Sequence, residues 1–158
     1  MKKWIWFALS IAVFLGDQLT KYWASTQLIP YQPEPLMPMV NLTLAYNTGA
    51  AFSFLSGTGG WHRWFFALFS IVMCVVLVAW LIKLPRTAQL QSLAVSLILG
   101  GAAGNLYDRA VIGHVIDFID LYYQNYHWPV FNLADISICV GAFLLVIDLF
   151  KNPSRQSS

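Results

Sequence analysis

A mainly α membrane protein with four transmembrane helices is the fold class this sequence predicts, and three observations predict it. Hydrophobic residues make up 58% of the 158-residue chain and charged residues 10%, whereas soluble domains carry roughly 25% charged residues. Such a chain has too few polar groups to cover its own surface in water. The apolar residues gather into four runs of about the 20 residues that a helix needs to cross the hydrocarbon. The basic residues also sort by side when four spans are drawn. Lys2, Lys3, Lys83, Arg86, Lys151 and Arg155 fall on one side, and Lys21, Arg63 and Arg109 on the other. That bias makes the first side, with both termini, cytoplasmic. The net charge is only +2, which gives no ground for a nucleic-acid partner.

The first span, residues 4–23, opens after Lys2 and Lys3 and carries Asp17 and Lys21 near its far end. Its basic start is like that of a signal peptide. The apolar run continues past Asp17 with no Ala-x-Ala-like site, so it reads as a retained helix. The external segment 24–63 follows and contains Pro30, Pro33, Pro35 and Pro38. Within it Leu42, Leu44 and Tyr46 alternate with Asn41, Thr43 and Ala45, the period of a strand. Asn47-Thr48-Gly49 reads as a turn. An apolar stretch at 50–55 and a second turn at 57–60 come next; this glycine cluster lacks the Gly-Lys-Ser/Thr ending of a phosphate loop. Spans 64–82 and 87–107 are uncharged and joined by a tight link around Pro85. The second external segment, 108–130, is rich in Asp and Tyr. The last span, 131–150, has Asp135 near its start and Asp148 near its end, and a short polar tail follows Pro153. Trp4, Trp6 and Trp80 mark the inner interface, and Trp23, Trp61, Trp64, Tyr107 and Trp128 the outer one. The whole chain, 1–158, reads as one integral membrane domain whose long, partly apolar external segments rest on the membrane surface.

An ionisable group in or beside a span is costly, so each needs a reason. Six of the seven acids (Asp17, Glu34, Asp108, Asp117, Asp120 and Asp135) lie outside or in the outer half, and Asp148 alone sits at the inner end. Asp135 falls about one turn into the last span, roughly 6 Å deep; the alternative is a helix start at Leu133 that puts it in the first turn, where the macrodipole favours it. Asp117 is flanked by Val115, Ile116, Phe118 and Ile119 and reads either as a site acid or as the polar face of a short strand. Two such acids brought together at a membrane edge suit an aspartyl hydrolase, because like charges a few ångströms apart share a proton. One carboxylate then activates water while the other protonates the carbonyl oxygen or leaving amine. Asp17 and Lys21, at i and i+4, read as a mutually neutralising pair on one helix face. Arg109, next to Asp108, either clamps a carbonyl or carboxylate or extends its head to the interface. Gly100, Gly101 and Gly104 form a small-residue face that allows close helix packing or leaves room for substrate.

Other chemistries fail on inspection. His62, His114 and His127 lack metal-ligand spacing, and no H-E-x-x-H occurs; all three read as interfacial. There is no G-x-S-x-G elbow. Cys74 and Cys139 sit in apolar runs and read as small buried hydrophobes.

Five ordered blocks carry a family resemblance. They are Asp17-Gln18-Leu19-Thr20-Lys21, the stretch from Tyr46 to Phe54, the stretch from Gly100 to Arg109, Val115-Ile116-Asp117, and Phe131-Asn132-Leu133-Ala134-Asp135. Together they resemble the bacterial lipoprotein-specific signal peptidase (signal peptidase II) over nearly the whole chain, with no departure at a motif position. The resemblance implies four transmembrane helices, a small external β-cradle over the membrane surface and a short loop helix. It implies Asp117 and Asp135 as the catalytic dyad, with no metal and no cofactor. Asn47, Gly101, Asn105, Arg109 and Asn132 then surround the substrate site, and Asp17, Lys21 and Asp108 support it. The implied substrate is a diacylglyceryl prolipoprotein cut just before its lipidated cysteine, at the outer leaflet of the bacterial cytoplasmic (inner) membrane. Membrane lipid and globomycin-type peptide inhibitors are the other implied partners.

Three rivals compete. A proton relay needs polar groups through the full bilayer, and the middles of the second and third spans offer almost none. A presenilin-like intramembrane protease shares Tyr107-Asp108, but Leu133-Ala134-Asp135 is not its Gly-x-Gly-Asp partner. A purely structural membrane protein leaves the polar blocks without a purpose.

Overall fold

The computed structural model describes residues 2–49 and 61–151. Four long helices are α1 (Trp4–Gln27), α2 (Trp61–Lys83), α3 (Gln89–Tyr107) and α4 (Leu133–Lys151). A π-helical turn, Asp108–Ile112, continues α3. Strands β1 (Glu34–Met37), β2 (Val40–Asn47), β3 (Val115–Tyr123) and β4 (Tyr126–His127) form one antiparallel sheet in that spatial order. The apolar stretch at 50–55, the turn at 57–60 and the tail after Pro153 lie outside the described residues.

Three helices are long and apolar enough to cross a membrane: Arg63–Lys83, Gln89–Ile112 and Leu133–Lys151. At 24 residues α1 is about 36 Å long, but its second half carries Asp17, Gln18, Thr20, Lys21, Ser25 and Thr26. It runs on to Gln27, four residues past the expected end, and stops where Leu28 turns extended ahead of Ile29-Pro30. The last helix starts at Leu133, not 131, for a reason that belongs to the site below.

The central helix is α3, which packs against α1, α2 and α4. Its small residues explain why. A side chain at Gly100 would meet the Ser10 backbone on α1, one at Gly101 the Ala134 carbonyl on α4, and one at Gly104 the Asp17 carboxylate. The glycine face is therefore a packing face. The half of the bundle nearer Lys3 and Lys83 is held by Leu77, Leu81, Leu84, Val95 and Leu99. Phe69, Val72, Val75 and Val76 of α2 face outward, as apolar side chains do on a helix solvated by lipid.

At the other end the sheet sits on α1. Leu44, Ile116 and Phe118 pack against Ala24 and Leu28. The expected alternation at 41–46 is β2, interrupted by a register shift between Leu42 and Ala45. The two ends of the bundle are distinct: the Lys3 ammonium reaches the Ile82 carbonyl at one, and Arg63 reaches the Arg109 carbonyl at the other. Lys3 and Arg63 thus lie at opposite ends of the bundle.

Candidate active site

Asp117 lies on β3 and is 2% exposed. Asp135 lies in the first turn of α4 and is half-buried. Asp117 is thus on a strand, and the first-turn alternative holds for Asp135 in place of a position one turn into the span. One residue, Asn132, joins them. Its Nδ2 donates to Asp117 Oδ1 at 2.7 Å, and its backbone N–H donates to Asp135 Oδ2 at 3.2 Å. Asn132 Oδ1 in turn accepts the Asp135 backbone N–H at 3.0 Å. This is a reciprocal capping box with Asn at the cap and Asp three residues on. It fixes the start of α4 at Leu133 and corrects the expected start at 131.

The orientation of every amide in the site follows from obligatory donors. Lys21 Nζ can only donate, and it donates to Asn105 Oδ1 at 2.9 Å. Asn105 must therefore turn its Nδ2 to Asp135 Oδ1, at 2.8 Å. Asn47 Oδ1 accepts the Gly49 N–H at 2.8 Å, which realises the expected turn, so Asn47 Nδ2 faces Asp117 Oδ2 at 3.1 Å. Each carboxyl thus receives two donors from the protein. A proton held by the pair has its acceptor in the other carboxyl or in water.

Burial and the neighbouring Asp135 charge push the Asp117 carboxyl up to about 6, against the pull of the Asn47 and Asn132 hydrogen bonds and the Lys21 charge. Behind the pair lies a buried ion cluster. Lys21 Nζ is 2.8 Å from both Asp17 Oδ2 and Asp108 Oδ2, and all three side chains are essentially inaccessible. Asp17 Oδ1 accepts the Ala134 N–H at 2.9 Å, and Asp108 Oδ2 accepts the Ile116 N–H at 3.2 Å. The cluster therefore ties α1 and the π turn to the backbone beside each acid of the dyad. Gln18, absent from the expected site, donates to Asp108 Oδ1 at 3.0 Å.

Arg109 stands at the mouth of a groove of about 300 Å³ lined by Phe66, Phe69, Ala102, Asn105 and Ile138. Its Nη1 reaches the Asn105 carbonyl at 3.2 Å, and its buried Nε has no hydrogen-bond partner among the described residues. Leu121, Trp128, Phe131, Ile136 and Val140 line a second groove of about 350 Å³ beside Asp135.

Asp120 does not join the dyad. It accepts from Asn41, Thr43 and His127 on the sheet. Burial acts to raise its carboxyl, but these three hydrogen bonds together outweigh it and hold the group below its ordinary value. Glu34 lies on the exposed strand β1. Asp148, at the far end of α4, accepts from Gln91 at 2.6 Å. Cys74 is half-buried and Cys139 is exposed. The expectation of a buried Cys139 is thus corrected: an apolar run on a lipid-facing helix presents its side chains outward.

A sequence profile described as Signal peptidase (SPase) II matches residues 9–151. The chain belongs to the signal peptidase II family. Its relatives include the lipoprotein signal peptidase of Cellvibrio japonicus (strain Ueda107), 46% identical over 98% of this chain and 91% of the relative. The lipoprotein signal peptidase of Pseudoalteromonas atlantica is 50% identical over 95% of this chain and 90% of the relative. Among solved structures, one described as a bacterial membrane enzyme by the in meso method at 2.3 Å resolution superposes with a TM-score of 0.82. It is 34% identical and covers 98% of this chain and 92% of its own. A second, at 1.9 Å, gives 0.83 at 34% identity, covering 94% of each chain. As a member of the signal peptidase II family, with three helices long and apolar enough to cross a bilayer, the chain is a multi-pass membrane peptidase.

Proposed function

We propose that this signal peptidase II is an aspartyl endopeptidase. In this reading it removes the signal peptide from diacylglyceryl-modified prolipoproteins, cutting on the N-terminal side of the lipidated cysteine. The observation that carries this reading is the donor-only setting of Asp117 and Asp135, two carboxyls around one asparagine at the outer end of a helix bundle.

The roles divide by environment. Asp135 is half-exposed and sits where the α4 macrodipole favours a carboxylate; it takes a proton from water as the water oxygen attacks the scissile carbonyl. Asp117 is buried and holds the shared proton; it passes that proton to the carbonyl oxygen. As the tetrahedral intermediate collapses, the C–N bond breaks, the proton on Asp135 goes to the leaving α-amine of the cysteine, and the hydroxyl proton released as C=O re-forms returns to Asp117. Water is the only co-reactant, with no metal or cofactor. The grooves on either side of Asn105 and Asp135 offer apolar walls to the signal helix and the acyl chains. Globomycin-type peptides inhibit by filling the same space.

All four helices cross the bacterial cytoplasmic (inner) membrane, α1 included, with both termini cytoplasmic and the dyad at the outer leaflet. The Asp17–Lys21–Asp108 cluster makes this crossing affordable for α1, since its charges are paired within the bundle. The test is cleavage by the purified protein of one prolipoprotein in diacylglyceryl and unmodified forms, with product mass fixing the cut. Cleavage of the lipidated form alone, before cysteine, is the expected result. Equal cleavage of both forms, or a cut elsewhere, defeats the substrate assignment.

A further inference from the structure

The π turn after α3 frees backbone carbonyls. Its closing bond runs from the Gly113 N–H to the Asp108 carbonyl, at 2.9 Å. The carbonyls of Arg109 and Ala110 come next, and the chain then leaves helical geometry for β3, so they have no helical donor. One side chain from α2 serves both. Arg63 donates from Nε to the Arg109 carbonyl and from Nη2 to the Ala110 carbonyl, each at 2.7 Å. A planar guanidinium fork suits two adjacent acceptors, and a lysine ammonium does not reproduce it. Gly113 makes room for that fork: its φ is +100°, and a Cβ there would lie 3.2 Å from Arg63 Nη1.

The same helix grips the other end of Arg109. Phe66, three residues on from Arg63, places its ring 5.8 Å from the Arg109 guanidinium carbon. Arg109 is thus held by its own carbonyl at one end and against an aromatic face at the other. Between these holds, its Nη1 donates to the Asn105 carbonyl at 3.2 Å, its buried Nε has no partner among the described residues, and the side chain lines the groove beside Asn105. A simple interfacial arginine would leave its head in water; Arg63 spends two donors on backbone.

We propose that Arg63 is a positioning residue for the peptidase reaction, aiming Arg109 into the substrate groove by holding the carbonyls that the π turn frees. This rests on the reading that the groove takes the prolipoprotein. The test is a double-mutant cycle on the full-length purified protein. Arg63→Gln, Arg109→Ala and the pair are made in the Asp135→Asn background, so that turnover plays no part. The readout is the Kd for a diacylglyceryl prolipoprotein peptide in detergent micelles. Losing charge-assisted hydrogen bonds of this kind corresponds to roughly 10–100-fold. Arg63→Gln is expected to weaken binding at least tenfold when Arg109 is present and less than threefold when it is absent. Gly113→Ala, which crowds the fork and leaves Arg63 in place, is expected to show the same dependence on Arg109. Equal weakening in both backgrounds, or none in either, overturns the proposal. Cleavage by Asp135→Asn itself instead overturns the dyad, which keeps the two failures distinct.

Discussion

Replacing Lys21 with methionine removes one ammonium from between two buried carboxylates. Lys21 is 1% exposed and Asp17 and Asp108 are 0% exposed, so water does not screen what is left. Removing one partner of a buried ion pair costs about 3–5 kcal/mol, and here one cation serves two anions, which places the cost near the upper figure. For a chain of this length about 5 kcal/mol corresponds to a fall of roughly 10–20 °C in unfolding temperature. The same substitution removes the 2.9 Å contact of the ammonium to Asn105 Oδ1 and leaves Asn132 Nδ2, at the longer distance of 3.2 Å, as the donor to that oxygen. The Asn105 amide is then held toward Asp135 by that one bond, and loss of its hydrogen bond to a charged group is worth up to roughly 10–100-fold in rate. Thermal unfolding in detergent and initial rates on a lipidated prolipoprotein measure the two effects separately. Lys21→Met with Asp17→Asn should recover part of the stability, since one uncompensated charge goes, but not the rate. An unfolding temperature within two or three degrees of the unmodified protein, or an unchanged rate, refutes the picture of Lys21 as both counter-ion and amide lock.

Gly101→Ala puts a methyl against the Ala134 carbonyl; overpacking of this kind costs about 1–3 kcal/mol. It should lower the rate more than the loss of stability explains, because Ala134 lies beside Asp135. Asp117, pushed up to about 6, has a folded value above its unfolded one. Its contribution to stability is therefore complete below about pH 4 and lost as pH rises through about 6. Unfolding temperature should fall across that window by more than it does for Asp117→Asn; parallel curves for the two proteins count against the buried, proton-holding Asp117. Reporter fusions after Arg86 should report a cytoplasmic position and fusions after Tyr122 an external one, with the reverse pattern refuting the orientation.

Much of this was legible in the residues because lipid imposes a blunt rule: charges at depth need partners. That rule singled out Asp17 with Lys21, and it drew attention to Asp117 and Asp135. The strand at 41–46 showed itself by its alternation of apolar and polar residues, although burial does not follow it: Asn41, Thr43 and Leu44 are all buried and Tyr46 is exposed. Strand β3 was legible only as one of two readings of Asp117, because Val115 to Phe118 is buried throughout and no alternation marks it. Strand β1 was hidden by Pro35 and by its complete exposure. The capping box was present in Asn132-x-x-Asp135, a spacing usually sought with Ser or Thr at the cap and Glu or Gln three residues on. The π turn and the role of Arg63 left no sequence signal, since both depend on an arginine 46 residues away from the carbonyl it holds.

The most direct measurement is the cleavage rate of a diacylglyceryl prolipoprotein by purified Asp117→Asn and by Asp135→Asn, each checked for intact folding by its unfolding transition in detergent. Both folded variants are expected to lose turnover by several orders of magnitude. Cleavage near the unmodified rate by either one contradicts the assignment of the two aspartates as the catalytic pair.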